Sequence, residues 1–125
     1  MADKAILVVD DELGMLELLR IFFERAKYRV LMAENGDSAL DLAEHYLPDA
    51  IILDFMLPDI SGGDVCRILK DNPLTQHIPV IMHSANPRII DKPYLAQIGA
   101  DEAVIKPCDV RKLLTIVEGH INAQV

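Results

Sequence analysis

Five short apolar runs alternate with five helical patterns along this chain. Ala5-Ile6-Leu7-Val8-Val9 is continuously apolar and rich in β-branched residues, as expected of a strand covered on both faces, and it stops at Asp10-Asp11. Over residues 12–26, Met15, Leu19, Phe22 and Ala26 recur at three- and four-residue steps, predicting a helix with that stripe inward. Arg29 to Ala33 is the second predicted strand. Asn35-Gly36 then turns the chain into a helix with Ala39, Leu40 and Ala43 inside, ended near Leu47-Pro48. The third strand begins at Asp49 and runs through Ala50-Ile51-Ile52-Leu53 to Asp54, before a loop punctuated by Pro58 and Gly62.

Gly62 to Asp71 suits a third helix through Val65, Ile68 and Leu69, closed by Asn72-Pro73, because the residue before a proline is pushed out of the helical region. Thr75-Gln76-His77 is loop. Ile78 to Met82 is the fourth strand, with Pro79 near its start where a missing N–H is tolerable, and it delivers His83, Ser84 and Ala85 to its end. Pro87 and Pro93 confine the next helix to about 92–98, with Asp91 as cap and Gly99 as stop. Ala103-Val104-Ile105 is a short fifth strand leading to Lys106-Pro107. Asp109 caps a last helix whose stripe is Val110, Leu113, Leu114, Val117 and Ile121.

The alternation implies an α/β fold, a doubly wound five-stranded parallel sheet with helices on both faces. Right-handed crossovers leave few windings, and the strand order 2-1-3-4-5 fits the element count. At 125 residues the chain has the size of a single domain, 1–125. Its apolar runs fall well short of the roughly 20 residues of a membrane span, and no signal-peptide layout precedes the first strand, so a cytoplasmic location is expected. Cys66 and Cys108 have no metal-ligand spacing and are expected to be small buried hydrophobes; the methionines are expected to fill the core. A net charge of −8 would repel nucleic acid and anionic membrane, which leaves protein and cations as partners.

In a parallel sheet every strand's carboxyl end lies on one edge. That edge collects Asp10 and Asp11 from the first strand, Asp54 from the third, Ser84 from the fourth and Lys106 from the fifth. Unit charges of one sign 4 Å apart repel by about 4 kcal/mol at an effective dielectric near 20, so three converging carboxylates require a positive partner. Hard oxygen donors with room for water suit Mg²⁺, and Lys106 with the Ser84 hydroxyl could hold the oxygens of a phosphoryl group. Such a set is suited to phosphoryl transfer by in-line positioning and charge neutralisation. Taken alone, Asp10 and Asp11 could equally be helix-capping acids, Ser84 a strand-end hydroxyl and Lys106 a surface lysine; their convergence argues otherwise. Asp37, Asp49 and Asp59 are expected to be solvated loop or cap residues, and His83, beside the site, to be structural.

Val9-Asp10-Asp11-Glu12, Leu53-Asp54 with Leu57-Pro58 and Gly62, Ser84-Ala85, and Lys106-Pro107 together resemble the response-regulator receiver (CheY-like) domain of two-component signalling, over essentially the whole chain. The resemblance implies a flavodoxin-like (βα)5 fold and a phosphoprotein switch that is not itself an enzyme in the ordinary sense. Asp54 would take the phosphoryl group from a histidine kinase or a histidine phosphotransfer protein. Asp11, Asp54 and the backbone carbonyl of Met56 would bind Mg²⁺, with Asp10 acting through a metal-bound water. Lys106 would pair with the phosphoryl group, Ser84 would hydrogen-bond to it, and Pro107 would follow in a cis peptide bond.

A downstream protein would be contacted through the face of helix 4, strand 5 and helix 5, and the resemblance leaves a homodimer open. Two departures stand out. Ala103 occupies a place where the family usually has Tyr or Phe, and Cys108 stands where an aromatic is common. Met56 and Asn86, each two residues beyond a site residue, suggest a slowly hydrolysed acyl phosphate. Two enzyme-like alternatives fit less well. A haloacid-dehalogenase-like phosphatase needs an acid two residues after the nucleophile, where Met56 stands. A flavin-binding protein needs a phosphate-cradling loop where strand 1 ends in acids. A phosphorylation-independent interaction domain is the remaining alternative.

Overall fold

The computed structural model describes residues 3–123. Strands β1 (Ala5–Val9), β2 (Arg29–Ala33), β3 (Ala50–Leu53), β4 (Val80–Ser84) and β5 (Glu102–Ile105) form one parallel sheet in the order β2-β1-β3-β4-β5. Between and after them run α1 (Leu13–Arg25), α2 (Gly36–Tyr46), α3 (Gly62–Asp71), α4 (Lys92–Ile98) and α5 (Val110–Asn122). Fold class and strand order are those the sequence predicts.

Period-two alternation along each strand divides the core into two halves. Leu7, Val9, Ile51, Leu53, Val80 and Met82 face a cluster built with α2, α3 and α4; Ile6, Val8, Ile52 and Ile81 face one built with α1 and α5. The wholly apolar β1 and β3 lie in the interior of the sheet and are covered on both sides, which is why their sequences do not alternate.

Helix ends follow capping chemistry. Asn35, Ser61, Asp91 and Asp109 each accept a backbone N–H in the first turn of the helix they precede, and Gly99 closes α4 at φ +78°. Several sequence expectations shift. The buried stripe of α1 is Leu16, Leu19 and Phe23, one position on from the predicted Met15 and Phe22, which are only half-buried. In α3 Val65 and Leu69 point inward as predicted, but Cys66 joins them in place of Ile68, which is exposed. β4 starts two residues later than predicted and extends to Ser84, since Lys106 N–H bonds to the Ser84 carbonyl at 3.0 Å and prolongs the ladder.

A 3₁₀ turn, Pro87–Ile90, fills part of the stretch before α4; Asn86 accepts the Arg88 N–H at 2.9 Å and starts it. Cys66 is buried as expected, but Cys108 is only half-buried beyond β5. Met32 and Met56 are exposed, not core filler. Asp49 and Asp59 also hold structural partners: Asp49 accepts the Ala5 N–H at 2.8 Å, and Asp59 accepts those of Gly36 and Asp37 at 2.8 and 2.9 Å, capping α2 from the β3–α3 loop.

Candidate functional site at the carboxyl edge of the sheet

β1 and β3 are neighbours in register, Val9 opposite Leu53, so the residues that follow them arrive side by side. Those residues are Asp10 and Asp54, 1% and 4% exposed. Their backbones are fixed by the sheet: Asp10 N–H bonds to Ala33 O at 3.1 Å and Asp54 N–H to Val9 O at 3.0 Å. Each carboxylate is also tied to the loop behind it, Asp10 Oδ1 accepting the Glu12 N–H at 2.9 Å and Asp54 Oδ1 the Met56 N–H at 3.1 Å.

Their second oxygens share one cation. Lys106 Nζ donates to Asp10 Oδ2 at 2.6 Å and to Asp54 Oδ2 at 3.1 Å, and Glu12 approaches it to 3.6 Å. Burial raises the Asp10 carboxyl above its ordinary value against the opposing pull of Lys106. Burial also works against the Lys106 charge, but its hydrogen bonds and charge contacts with Asp10 and Asp54 win, and the ammonium is held above its usual range. Lys106 is therefore charged at neutral pH, and a single positive charge serves two buried carboxylates.

Asp10, Glu12 and Asp54 can bring one carboxylate oxygen each within 4.8 Å of the others. Three acids against one ammonium leave a double negative charge on hard oxygen donors, a set that fits a divalent cation such as Mg²⁺. Asp11 stands at the same strand end but is exposed and is not in this cluster; Glu12 is in it, although in sequence it has no site role beyond its place in the Val9-Asp10-Asp11-Glu12 motif and at the start of a helix. The Met56 side chain points outward, 57% exposed, while its N–H is held by Asp54.

β4 and β5 complete the edge. Ser84 is buried, its hydroxyl accepting the Asn86 N–H at 3.3 Å, and its carbonyl fixes the backbone of Lys106. The Lys106–Pro107 bond is cis. His83, just before Ser84, is 3% exposed; burial, helped by the nearby Lys106 charge, lowers its ring to about 4, so it is neutral at pH 7. Gly62 closes the β3–α3 loop by donating to Phe55 O at 2.8 Å, and a Cβ at Gly62 would collide with the Asp54 carbonyl. Met56 and Asn86 meet above the site, Asn86 Nδ2 to Met56 Sδ at 3.6 Å.

Sequence reasoning brought Asp10, Asp54, Ser84 and Lys106 to this edge, and all four lie at it. It also brought Asp11 there, as the acid expected to touch the metal directly; alternation sends Asp10 inward and Asp11 out to solvent.

Residues 6–118 match the family model of the response regulator receiver domain. The chain is 32% identical over 119 residues to the polar-differentiation response regulator DivK of Brucella anthropi, covering 95% of this chain and 97% of DivK. It is 40% identical over 111 residues to the alkaline phosphatase synthesis transcriptional regulatory protein PhoP of Bacillus subtilis, which covers 89% of this chain but 45% of PhoP. The chain thus spans about half the length of that regulator and of the similar phosphate regulon regulator PhoB of Pseudomonas aeruginosa, of which it covers 50%. Among solved structures, the receiver domain of a Pseudomonas aeruginosa sensor histidine kinase, determined with a magnesium ion coordinated in its active-site cleft, superposes with a TM-score of 0.87 at 26% identity, covering 97% of this chain and 99% of that one.

Proposed function

This chain belongs to the response regulator receiver domain family of two-component systems, and on that premise we propose that it is a phosphorylation switch in which Asp54 accepts a phosphoryl group from a histidine kinase or histidine phosphotransfer protein. The observation that carries this reading is the shared Lys106 ammonium, 2.6 Å from Asp10 and 3.1 Å from Asp54, at a solvent-facing strand edge. A buried carboxylate held beside a cationic side chain is a nucleophile with its counter-charge in place.

In the transfer, an Asp54 oxygen forms a bond to phosphorus while the phosphorus–nitrogen bond of the donor's phosphohistidine breaks and the leaving imidazole takes up a proton. The Met56 N–H on Oδ1 fixes the plane of the Asp54 carboxylate, so that its free lone pairs face the incoming group. Lys106 moves from Asp54 Oδ2 to an oxygen of the phosphoryl group, and the Ser84 hydroxyl donates to another. Asp10, Asp11, Asp54 and the Met56 carbonyl would hold Mg²⁺, a reading supported by the magnesium ion coordinated in the active-site cleft of the similar receiver; when bound, it would supply charge neutralisation to the transferring phosphoryl group.

Phosphorylation adds about −1.5 to −2 charge and three strong acceptors, enough to rearrange the Ser84 hydroxyl and the loop behind it. The partner downstream is a protein contacted through α4, β5 and α5, and the domain acts in the cytoplasm where its phosphodonor is presented. No helix among the described residues is long and apolar enough to cross a membrane.

Intact mass after incubation with acetyl phosphate and Mg²⁺ tests the reading. The parent gains one phosphoryl mass and Asp54→Asn does not; a folded parent that never gains it, or an Asp54→Asn protein that gains it equally, overturns the proposal and favours a phosphorylation-independent interaction domain. Mg²⁺ also raises the melting temperature of the parent by linkage, and does so less in Asp11→Asn.

A further inference from the structure

Tyr94 is the residue on which two separate routes from the phosphoacceptor edge converge. It lies on α4, 8% exposed, with its ring turned inward from the helix. The first route is through Phe55, the residue after Asp54: the two rings meet edge to face with centroids 6.0 Å apart and planes at 75°. The second runs from Ser84. The Ser84 hydroxyl accepts the Asn86 N–H at 3.3 Å, Asn86 accepts the Arg88 N–H at 2.9 Å, and the Arg88 guanidinium sits over the Tyr94 ring, 4.3 Å from its centroid.

The position is built for this ring. A Cβ on Gly63 of α3 would collide with the Tyr94 hydroxyl and come within 2.9 Å of Cζ, so a glycine in the first turn of α3 makes the space that the ring tip occupies. Glycine inside a helix is about 1 kcal/mol less favourable than alanine, so the gap is not explained by helix formation. On the neighbouring strand β5, Ala103 presents only a methyl group. The side chain large enough to feel both Phe55 and the Asn86–Arg88 segment belongs to α4.

We propose that Tyr94 conveys the state of the Asp54–Ser84 edge to α4, through Phe55 on one side and the Asn86–Arg88 turn on the other. This rests on Asp54 being the phosphoacceptor. Drawing the Ser84 hydroxyl toward a phosphoryl group releases or shifts the Asn86 N–H it now accepts, which moves Arg88 over the ring. Any shift of the backbone at Asp54 moves Phe55 against the ring edge. Both displacements reach α4 at one side chain, and because the ring is wedged against α3 the helix must follow it.

Amide hydrogen exchange of residues 92–98, with and without acetyl phosphate and Mg²⁺, is the deciding measurement, with intact mass recording phosphorylation of the same samples. Parent exchange in α4 changes by about fivefold or more on phosphorylation, the low end of ordinary coupling between sites. Tyr94→Leu reaches the same phosphoryl occupancy yet loses that change, while exchange at residues 85–88 still responds. Arg88→Gln, an exposed substitution that leaves the core intact, keeps phosphorylation and weakens the α4 response; Tyr94→Phe, which keeps the ring, preserves it. A full α4 response in Tyr94→Leu, or in Arg88→Gln should Tyr94→Leu fail to fold, overturns the proposal, as does a phosphorylated parent with unchanged α4 exchange. A parent that gains no phosphoryl mass overturns the acceptor reading itself, and this inference with it.

Discussion

Lys106 and Asp10 lie 96 residues apart in the chain and are joined at 2.6 Å across a sheet that places two strands between theirs. Because the same ammonium also reaches Asp54, it holds together the ends of the first, third and fifth strands. Removing it leaves two buried carboxylates facing each other. Lys106→Met is expected to lower the unfolding free energy at neutral pH by about 3 kcal/mol, the scale on which breaking a buried ion pair destabilises. Urea unfolding checks this, and added Mg²⁺ should restore more stability to the variant than it adds to the parent.

His83 gives the protein a mildly acidic sensitivity. Its ring, depressed by burial to about 4 from an ordinary 6.5, binds protons in the unfolded chain before it does in the folded one. Stability contributed by the neutral ring is therefore complete above about pH 6.5 and declines as pH falls toward 4, by a total on the order of 3 kcal/mol. The slope of unfolding free energy against pH between those values should be shallower in His83→Gln; an unchanged slope would place the acid sensitivity elsewhere.

Asp59 acts lower on the pH scale. Hydrogen bonds from Gly36 and Asp37 N–H hold its carboxyl down to about 2 from an ordinary 3.8. A depressed carboxylate stabilises above its unfolded value and loses that effect as pH falls through the folded one. Asp59→Ala should thus melt earlier than the parent at pH 7, and the difference should close as pH drops from about 4 to about 2. Thermal melts at stepped pH read this directly.

Gly63 and Tyr94 compete for one volume, and a double-mutant cycle measures how tightly. Overpacking predicts that Gly63→Ala costs about 1–3 kcal/mol. Placed in Tyr94→Phe, which lacks the hydroxyl that a Cβ would strike, the same substitution should cost about 1 kcal/mol less, since neighbours that share a cavity do not add.

Met56 and Asn86, in contact over the site, bear on how long a phosphoryl group on Asp54 survives. An apolar Met56 beside Asp54 is expected to shield a phosphoryl group from water. Met56→Asn should shorten the half-life of the phosphorylated protein by about tenfold, below the roughly hundredfold or more of a fully positioned acid–base group because the amide only orients water. Loss of phosphoryl mass over time, after the donor is removed, is the assay; equal half-lives contradict the shielding.

The sheet and the set of side chains at its edge are legible because both are written in short segments. A buried parallel strand reads as an unbroken apolar run, and the run's end marks the edge where Asp10, Asp54 and Lys106 gather. What the chain hides is rotation and reach. The stripe of α1 is displaced by one residue because Met15 and Leu16 are both apolar, and periodicity alone does not say which is central. Tyr94 has no sequence signal, and Glu12 is visible only as part of a motif, because their importance comes from long-range contacts, with Phe55, Arg88 and Gly63 in one case and with Lys106 in the other. A loop or cap role for Asp59 is readable from its position, but that it caps α2 is not, since the bond spans 23 residues.

The two border strands bear on the behaviour of many copies in solution. β2 and β5 are five and four residues long, and each begins on an exposed charged residue, Arg29 and Glu102. Short borders with a charge on the rim make poor templates for another chain's backbone, and a surplus of negative charge keeps copies apart at a distance. Self-association of this domain, when it occurs, is therefore left to side chains on helices, where contact can be made and broken without extending the sheet from one molecule into the next.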